Sequence, residues 1–510
     1  MKYATSKAKA AVALITLALP VPLAAQHTRY RLIDLGTFGG PASAIAPTIA
    51  GGSENPGRGL TDRGVIVGIA NTPDLDPFAT GCPFCFVTHA FKWQNGTLTD
   101  LGTLQGVNSD LSSQANWIND REWIAGTSYT GGLDPLTGFP AAHPVLWRNG
   151  EIIDLGTLGE DFGQASALNN RGQVVGYSLN GIADPVGIFG NATENRAFLW
   201  QNGVMQDLGT LCESEGVCGL DAVANAVNER GQVAGISATN ATPNGTTGAP
   251  TVLPFLWERG RMIDLGTLGG TNSGVDGPTV LLNNRGQVAG TSTLEGDMSY
   301  HPFLWEHGVM KDLGTLGGDT GFVTWITDSG DVIGTADLPG TSGNQSHHAF
   351  LWSKGVKTDL GSLGGTSHAE GINLQGQIVG RSTPNGSAVQ HAFLWEHGGP
   401  MVDLNTLIPA NSGLLLEEGG NINDQGEIAG RGLPAGCEAV DACGHAFLLI
   451  PCDPAAGQDC SPLTATPAAA VLAATQTLST RKPVTRAKGL AAWRAQIARH
   501  IHAGAGSDDD

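Results

Sequence analysis

Short runs of alternating apolar and polar residues, separated by turn-forming residues, fill the chain from about residue 30 to residue 450. In one clear unit, 366–404, four such runs stand out: 367–372, 377–382, 391–395 and 401–404. Between the first two, Asn373 can cap a turn and Gly376 supplies the positive φ that ends it. Since β-branched and aromatic residues fill the runs, each unit is predicted to hold four antiparallel strands.

Three sequence signatures repeat eight times in the same cyclic order. The first is an Asp-Leu-Gly triplet whose copies start at Asp34, Asp100, Asp154, Asp207, Asp264, Asp312, Asp359 and, in divergent form, Asp403. The second is similar to HAFLW and starts at His89, His143, Arg196, Leu253, His301, His348, His391 and His445. The third is similar to INxxGQVVG and ends at Gly68, Gly126, Gly176, Gly235, Gly290, Gly334, Gly380 and Gly430. Four strands per unit of 44 to 66 residues are typical of a β-propeller.

The two ends of the repeat array favour a closed ring over an open solenoid. The first unit holds only a fourth strand, Tyr30 to Leu35, and the last unit ends with a third strand, His445 to Ile450. Pairing these strands would complete the eighth blade and remove the open edges. We therefore predict an all-β fold in which residues 27–451 form one eight-bladed propeller, with seven blades as the alternative left open.

The composition agrees with this fold and excludes several others. The 510 residues include 74 glycines and 27 prolines, and only 15% of residues are charged, which disfavours collagen, coiled coils and helical bundles. The formal net charge of −20 disfavours nucleic acid or an anionic membrane as a partner attracted by net charge.

The N-terminus, residues 1–26, has the pattern of a secretory signal peptide. Lys2, Lys7 and Lys9 precede an apolar run that Pro20 and Pro22 interrupt, and small residues follow. The run is too short for the alternative, a membrane anchor. Removing these three lysines takes the formal net charge from −20 to −23, since the segment contains no acid. We expect a secreted protein, either extracellular or periplasmic, without a transmembrane segment.

Eight cysteines fall in four close pairs, as expected for disulfides in an exported protein. The pairs are Cys82 with Cys85, Cys212 with Cys218, Cys437 with Cys443, and Cys452 with Cys460. A redox CxxC site at the first pair and a four-cysteine zinc site are the alternatives.

Taken together, the HAFLW, DLGTLGG and INxxGQVVG motifs resemble the HAF family of bacterial extracellular repeat proteins over about residues 30–450. The resemblance implies an exported bacterial repeat protein, but no activity. The chain departs from the pattern at Arg196 and Leu253, which replace the histidine, at Glu122, which replaces a turn glycine, and at Leu449, which replaces the tryptophan.

The recurring histidines and aspartates favour a structural role. Six histidines occupy one strand position: His89, His143, His301, His348, His391 and His445. A metal-binding ring would require them to line the channel. We expect instead a hydrogen bond within each blade, to the recurring aspartate, because a buried imidazole needs a partner.

A few residues break the repeat symmetry. The pairs Glu417-Glu418 and Glu160-Asp161 could supply two carboxyls in distinct environments, as catalysis requires, although the sequence shows no partner for either. Trp117, Trp123 and Trp325 lie outside the HAFLW position, and each is interpreted as core or, alternatively, as an exposed platform for a sugar.

Unequal loops indicate where a ligand would bind. The connections between second and third strands are long in blades 1–4, at about 69–88, 128–142, 178–195 and 237–252, and shorter later, as at 383–390. Long loops on a rigid scaffold commonly carry function, with neutral insertion as the alternative. The acidic pair Asp74 and Asp76 makes a calcium ion possible, and no other cofactor motif is present.

The remaining chain is predicted to be an Ala/Thr/Pro-rich linker, 452–485, followed at 486–510 by an amphipathic basic helix and an acidic tail. The function predicted overall is a monomeric, non-enzymatic scaffold that binds an extracellular glycan or protein on the loops of blades 1–4. The alternative is a propeller hydrolase or lyase that acts on extracellular polysaccharide, and the sequence assigns no catalytic residue to it.

Overall fold

The computed structural model describes residues 28–46, 58–78, 85–133, 140–184, 193–212, 221–243, 250–273, 280–340, 346–396, 398–464 and 466–467. The predicted signal peptide, Cys82, Cys218 and the predicted C-terminal helix lie outside these ranges. Within them, no helix has both the length and the apolar character needed to cross a membrane.

The described chain consists almost entirely of strands. The first half holds β1 (Arg29–Asp34), β2 (Ser43–Ile45), β3 (Ile66–Leu75), β4 (Phe86–Gln94), β5 (Thr97–Asp100), β6 (Ser113–Ile118), β7 (Ile124–Leu133), β8 (Pro140–Arg148), β9 (Glu151–Asp154), β10 (Gly163–Leu168), β11 (Val174–Ala183), β12 (Thr193–Gln201), β13 (Val204–Asp207), β14 (Ala222–Val227), β15 (Val233–Pro243), β16 (Pro250–Glu258) and β17 (Arg261–Asp264). The second half holds β18 (Gly269–Ser273), β19 (Leu281–Leu282), β20 (Val288–Leu294), β21 (Tyr300–Glu306), β22 (Val309–Asp312), β23 (Gly321–Ile326), β24 (Val332–Asp337), β25 (His347–Ser353), β26 (Val356–Asp359), β27 (Gly364–Ile372), β28 (Ile378–Pro384), β29 (His391–Trp395), β30 (Val402–Asp403), β31 (Leu414–Ile422), β32 (Ile428–Pro434), β33 (His445–Cys452), β34 (Leu463–Thr464) and β35 (Thr466–Pro467). One helical turn, α1 (Val440–Cys443), and two 3₁₀ turns, Leu404–Thr406 and Pro454–Ala456, complete the described elements.

The strands form eight small antiparallel sheets, which are the blades of a propeller. Blade 1 contains β2–β5, blade 2 β6–β9, blade 3 β10–β13, blade 4 β14–β17, blade 5 β18–β22, blade 6 β23–β26 and blade 7 β27–β30. Blade 8 combines β31, β32 and β33 from the end of the chain with β1 from its start. The eight-bladed fold predicted from the repeats is confirmed.

Ring closure uses the strands that the sequence analysis paired. β1 runs antiparallel to β33, with Leu32 opposite Leu449 and Asp34 opposite Phe447. Leu32 and Leu449 are fully buried, so the seam is held by packing as well as by the ladder. Leu449, which departs from the HAFLW pattern, therefore packs in the eighth blade like the other apolar residues.

The chain continues past the closing strand in a way that the sequence analysis did not anticipate. β34 adds parallel to β1 on blade 8, and β35 adds parallel to β5 on blade 1. Between β33 and β34, the Cys452–Cys460 disulfide closes a loop, and Asp459 forms an ion pair with Arg31 of β1. The start of the predicted linker thus crosses the closure seam from blade 8 to blade 1 along its outer edge.

Glycine and phenylalanine explain why each blade packs as it does. A Cβ on Gly176 would lie 1.9 Å from the carbonyl oxygen of Gln164 on the neighbouring strand, and Gly380 stands in the same relation to His368, so only glycine fits. Beside this close approach, the phenylalanine of the HAFLW signature is fully buried, as in Phe198 and Phe393. The hydrophobic clusters combine residues of adjacent blades, so the core runs around the ring.

Two of the four predicted disulfides are described completely. Cys437–Cys443 and Cys452–Cys460 are bonded, with Cα atoms 5.7 Å and 6.0 Å apart. Cys85 and Cys212 are also disulfide-bonded, while the partners predicted for them fall outside the described residues.

Candidate functional site

The first and second strands of a blade meet at one face of the ring, which we call the turn face. The connections between second and third strands and those between blades lie on the opposite face, which we call the loop face. Each fourth strand ends at the loop face with the aspartate of the Asp-Leu-Gly triplet. In all eight blades this aspartate accepts a hydrogen bond of 2.6 to 2.9 Å from the backbone N–H two residues later.

Each of the six recurring histidines is hydrogen-bonded to the aspartate of its own blade. The distances from Nδ1 to the carboxylate are 2.7 to 3.0 Å. In blade 3 Arg196 replaces the histidine and contacts Asp207 at 3.1 Å. His143 also contacts Asp161 at 2.7 Å; burial opposes its charge, but the hydrogen bonds to Asp154 and Asp161 outweigh burial and raise its pKa. The histidine–aspartate pairs join third and fourth strands and are not brought together around a common point.

No group of three or more His, Cys, Asp or Glu side chains placed to hold a metal ion occurs within the described part of the chain. Asp76, which the sequence analysis considered for calcium, accepts a hydrogen bond of 2.8 Å from the N–H of Phe78.

A collar of asparagine side chains links neighbouring blades where the channel meets the turn face. Each amide donates through Nδ2 to a carbonyl oxygen at the equivalent position of the next blade, at 2.9 to 3.1 Å. The donors are Asn119, Asn169, Asn228, Asn283, Asn373 and Asn423. Threonine stands at this position in blades 1 and 6, as Thr61 and Thr327, and has no amide to donate.

Two of the tryptophans outside the HAFLW position, for which core and sugar platform are the alternative interpretations, meet in the central channel. Trp117 of blade 2 and Trp325 of blade 6 are stacked, with ring centroids 6.2 Å apart and planes 22° apart. They line a cavity of about 400 Å³ that all eight blades border. Blades 2 and 6 are four units apart in a ring of eight, so the stack spans the channel. Trp123 lies instead at the turn face between Arg121 and Arg148.

The loop face is asymmetric in height. In blades 1–4 the second and third strands have 9 to 11 residues, whereas in blades 5–8 they have 5 to 8. The longer ladders extend to Leu75–Phe86, Leu133–Pro140, Ala183–Thr193 and Pro243–Pro250. Half of the ring therefore carries raised hairpins, as the loop lengths predicted. On the low half, a depression of about 700 Å³ lies beside blades 7 and 8, bordered by Ile408, Leu414, Leu433 and Cys437.

Acidic side chains concentrate on the loop face. Besides the eight repeat aspartates, blades 3 and 4 bury Glu160, Glu194 and Asp221, each at most 5% exposed. Glu194 accepts a hydrogen bond from Asn180 at 2.7 Å, and Asp221 accepts one from the N–H of Asn195 at 2.8 Å. The first turns on the turn face carry both signs of charge, since exposed acids such as Asp62, Asp120 and Asp328 stand there beside the exposed arginines Arg63, Arg121, Arg171, Arg230 and Arg285. A polyanion approaching the loop face would be repelled.

A cluster of charged residues occupies the inner strands of blades 7 and 8. Arg431 binds Glu418 through Nε and Nη2 at 3.1 and 2.8 Å, and its Nη1 contacts Asp441 at 2.7 Å. Arg381, at the equivalent position of blade 7, faces Glu370 at 3.6 Å. The Glu417-Glu418 pair, for which the sequence showed no partner, therefore has two arginines nearby.

Glu417 and Glu418 lie in different environments. Leu416 pairs with Gly432 and Glu418 with Arg431, so Glu417 is an extra residue in the strand, a β-bulge that β6, β10, β14 and β23 lack at this point. Its Oε2 is buried without a hydrogen bond. Burial, with Glu418 and Asp441 nearby, raises the pKa of Glu417 despite the two arginines. Burial also opposes the charge of Glu418, but Arg431 and Arg381 outweigh it and lower the pKa.

No family model matches the chain, and no curated protein matches it in sequence. Solved structures do resemble it. The β-propeller domain of the Trilobed protease from Pyrococcus furiosus has 8% identity and a TM-score of 0.39, over 66% of this chain and 95% of that one. Dipeptidyl peptidase 4 of Porphyromonas gingivalis has 11% identity and a TM-score of 0.41, over 73% and 55%. An ulvan lyase of polysaccharide lyase family PL25 has 10% identity and a TM-score of 0.36, over 74% and 100%. Likeness at this level concerns the fold and assigns no activity.

Proposed function

We propose that the chain is an exported binding scaffold that holds an extracellular glycan or protein on the loop face, against the raised hairpins of blades 1–4. The carrying observation is the difference in hairpin height between the two halves of the ring. A fold built from one repeated unit needs no such difference, and loops on a rigid scaffold are where binding surfaces commonly lie. Export itself rests on the signal-like N-terminus and the resemblance to HAF proteins.

The charge of the loop face narrows the ligand. Eight repeat aspartates and the buried acids of blades 3 and 4 favour a neutral or cationic ligand, because a polyanion would meet repulsion in addition to its own desolvation. We therefore expect neutral glycans or basic protein surfaces to bind in preference to acidic polysaccharides.

The test uses a variant in which a short connection from blade 7 replaces a long connection in the raised half of the ring. Residues 129–142 of blade 2 lie between Ser128 and His143, and residues 383–390 of blade 7 lie between Ser382 and His391, so the second segment can replace the first with matched ends. Wild type and graft are screened against glycans and cell-envelope fractions, with and without calcium. The proposal expects a ligand that wild type binds and the graft does not.

The control exchanges Asn385 and Ser387 for alanine in the blade 7 connection and should leave binding intact. Equal binding by wild type and graft, with both folded, would place the ligand surface elsewhere and overturn this proposal.

A polysaccharide hydrolase or lyase is the second candidate, because Glu417 and Glu418 offer two carboxyls in different environments beside Arg381 and Arg431. Neutral and acidic polysaccharides are incubated with wild type and with Glu417→Gln, and chain shortening is measured. Products from wild type that the variant does not form would replace the scaffold proposal.

A further inference from the structure

Blades 6 and 7 meet at the loop face through a pair of histidines. His347 opens β25 of blade 6, and His368 lies in β27 of blade 7. Their Nε2 atoms are 2.8 Å apart and their ring centroids 4.4 Å apart. His347 is only 8% exposed, and His368 is half-buried. The two imidazoles therefore contact each other directly, with little access to water.

The seam between blades 5 and 6 has an apolar contact at the place where the seam between blades 6 and 7 has the two histidines. Tyr300 and Phe322, at the equivalent positions of blades 5 and 6, pack with ring centroids 4.8 Å apart. Tyr300 and His347 each precede the recurring histidine by one residue, and Phe322 and His368 each lie opposite the residue that follows the second-strand glycine. An apolar aromatic contact at one seam is thus a titratable contact at the next.

The geometry of the pair admits one proton between the rings. One Nε2 must carry hydrogen and donate, and the other must accept, because two N–H groups cannot face each other at this distance. Nδ1 of His368 is hydrogen-bonded to Thr335 at 3.2 Å. His368 is therefore satisfied in its neutral form, and a second proton between the rings, present only when both rings are imidazolium, would break the Nε2–Nε2 bond.

The charged groups around the pair do not compensate for the cost of burying a second proton on it. Asp337 of β24 lies opposite His347, and its carboxylate accepts a hydrogen bond from Thr320 at 2.5 Å. His348 is held by Asp359, and Arg381 of β28 lies opposite His368 and faces Glu370. Burial, helped by His348 and Arg381, lowers the pKa of His347 despite Asp337, and burial with Arg381 and His347 holds the pKa of His368 well below its usual range.

The same seam lacks the asparagine link that joins six of the eight pairs of neighbouring blades at the turn face. Thr327 occupies the asparagine position of blade 6. Leu374 follows the asparagine of blade 7. At the position of Leu374, blades 3 to 6 have an acidic or amide side chain that accepts a backbone N–H of the preceding blade. Hydrogen bonds across the seam remain from Thr324 to the carbonyl of Ala369 at 2.7 Å and from the N–H of Ala349 to Ser367 at 2.9 Å. The seam thus depends more than its neighbours on the contact at the loop face.

We propose that the seam between blades 6 and 7 is an acid-sensitive joint of the ring, at which a second proton on the His347–His368 pair separates the two blades. Both histidines bind protons less tightly when the seam is closed than when it is open. The closed seam is therefore fully favoured above the ordinary imidazole pKa of about 6.5 and is weakened as the pH falls below it. For each proton taken up on opening, the equilibrium constant for opening the seam rises about tenfold with each pH unit of acidification.

The decisive variant is His347→Tyr with His368→Phe, which copies the Tyr300–Phe322 contact. Urea unfolding and pulsed amide exchange are measured from about pH 8 to about pH 5, the range in which imidazole titrates. Wild type should lose protection in β24, β25, β27 and β28 as the pH falls, with blade 4 as the internal reference. The double variant should lose most of this local dependence.

Two further variants keep the test decisive. His368→Gln removes the titratable group but introduces a residue found at the equivalent positions 114 and 164, so it serves if the double variant does not fold. His307→Gln removes an exposed histidine and should behave as wild type. An unchanged local pH dependence in the His368→Gln or double variant, or acid-induced exchange spread evenly over all blades, would overturn the proposal.

Discussion

At the turn face of this propeller nearly every blade uses the same side chains for the same contact, whereas at the loop face the blades differ. Six asparagines bind the next blade at the turn face, at distances within 0.2 Å of one another (2.9 to 3.1 Å). At the loop face the hairpins differ in length, and buried acidic side chains stand in blades 3, 4, 6 and 8. Where a repeat must hold its neighbour, its residues are uniform; where a surface is free to vary, charge and length accumulate.

The largest effect is expected from the buried ion pair between Glu418 and Arg431, on the two inner strands of blade 8. Arg431→Met would leave buried Glu418 without its cation and lower the free energy of unfolding by about 3–5 kcal/mol, measured by urea denaturation. Adding Glu418→Leu should restore most of this loss, because an apolar pair replaces a buried ion pair at little cost. A double variant as unstable as the single one would show that the arginine acts through packing.

The turn face should respond next. Asn228 donates to Asn283 and Gln232 and accepts from the N–H groups of Arg230 and Gln232, at 2.7 to 3.1 Å. Asn228→Ala should therefore cost about 2–3 kcal/mol in urea denaturation, since buried donors lose their acceptors.

Asn228→Thr separates the turn from the link between blades. Thr327 accepts the N–H of Asp331 at 3.0 Å, so threonine supports the turn without reaching the next blade. We expect it to recover part of the alanine loss. If alanine costs less than about 0.5 kcal/mol, within the usual range for surface substitutions, the collar does not stabilise the ring.

A substitution of Glu417 measures whether a buried carboxyl on the loop face lowers the stability of the folded protein. Because burial raises its pKa in the folded protein, the proton is bound more tightly there than in the unfolded chain, and stability is lost as the pH rises past the ordinary glutamate range. Glu417→Gln should raise the urea midpoint at neutral pH by a small amount, within about 1 kcal/mol for a partly exposed group. Wild type and variant should converge near pH 4, below the usual glutamate pKa.

The smallest effect concerns the hairpins between third and fourth strands. Lys354 has φ of 51°, as Asn202 has φ of 54° at the equivalent turn of blade 3. Asparagine tolerates this region better than lysine, so Lys354→Asn should raise the thermal midpoint by an amount equivalent to about 0.5–1 kcal/mol. Asn202→Lys is the matched reverse change and should lower it. A loss with Lys354→Asn would mean that the lysine side chain makes a contact worth more than the strain.

Much of the fold could be derived from the repeat, and parts of the candidate site could not. The closure of β1 on β33 followed from a first unit with only a fourth strand and a last unit without one. The partner of His89 and its equivalents followed from the recurring aspartate, because six of the eight units hold one histidine and one aspartate at fixed repeat positions. The strands β34 and β35 were not predicted, because two-residue strands in an Ala/Thr/Pro-rich segment show no periodic pattern.

The channel shows why the site was harder to predict. Trp117 and Trp325 occupy the same repeat position, two residues before the asparagine position, but 208 positions apart in the chain. Their contact could have been predicted only by adding that units four apart face each other in a ring of eight. Glu417 gave a weaker signal, because a one-residue bulge in a single blade looks like ordinary variation in repeat length.

The sequence by itself determined the number of repeats, their order and the strands predicted to close the ring, because these depend on a period and on adjacent units. The tertiary structure decided which departures from the repeat meet one another. The stacked tryptophans, the arginine between Glu418 and Asp441, and the two histidines at one seam depend on distances across the ring axis and between blades. Such distances are set by closure and packing, and a linear chain does not encode them in any local pattern.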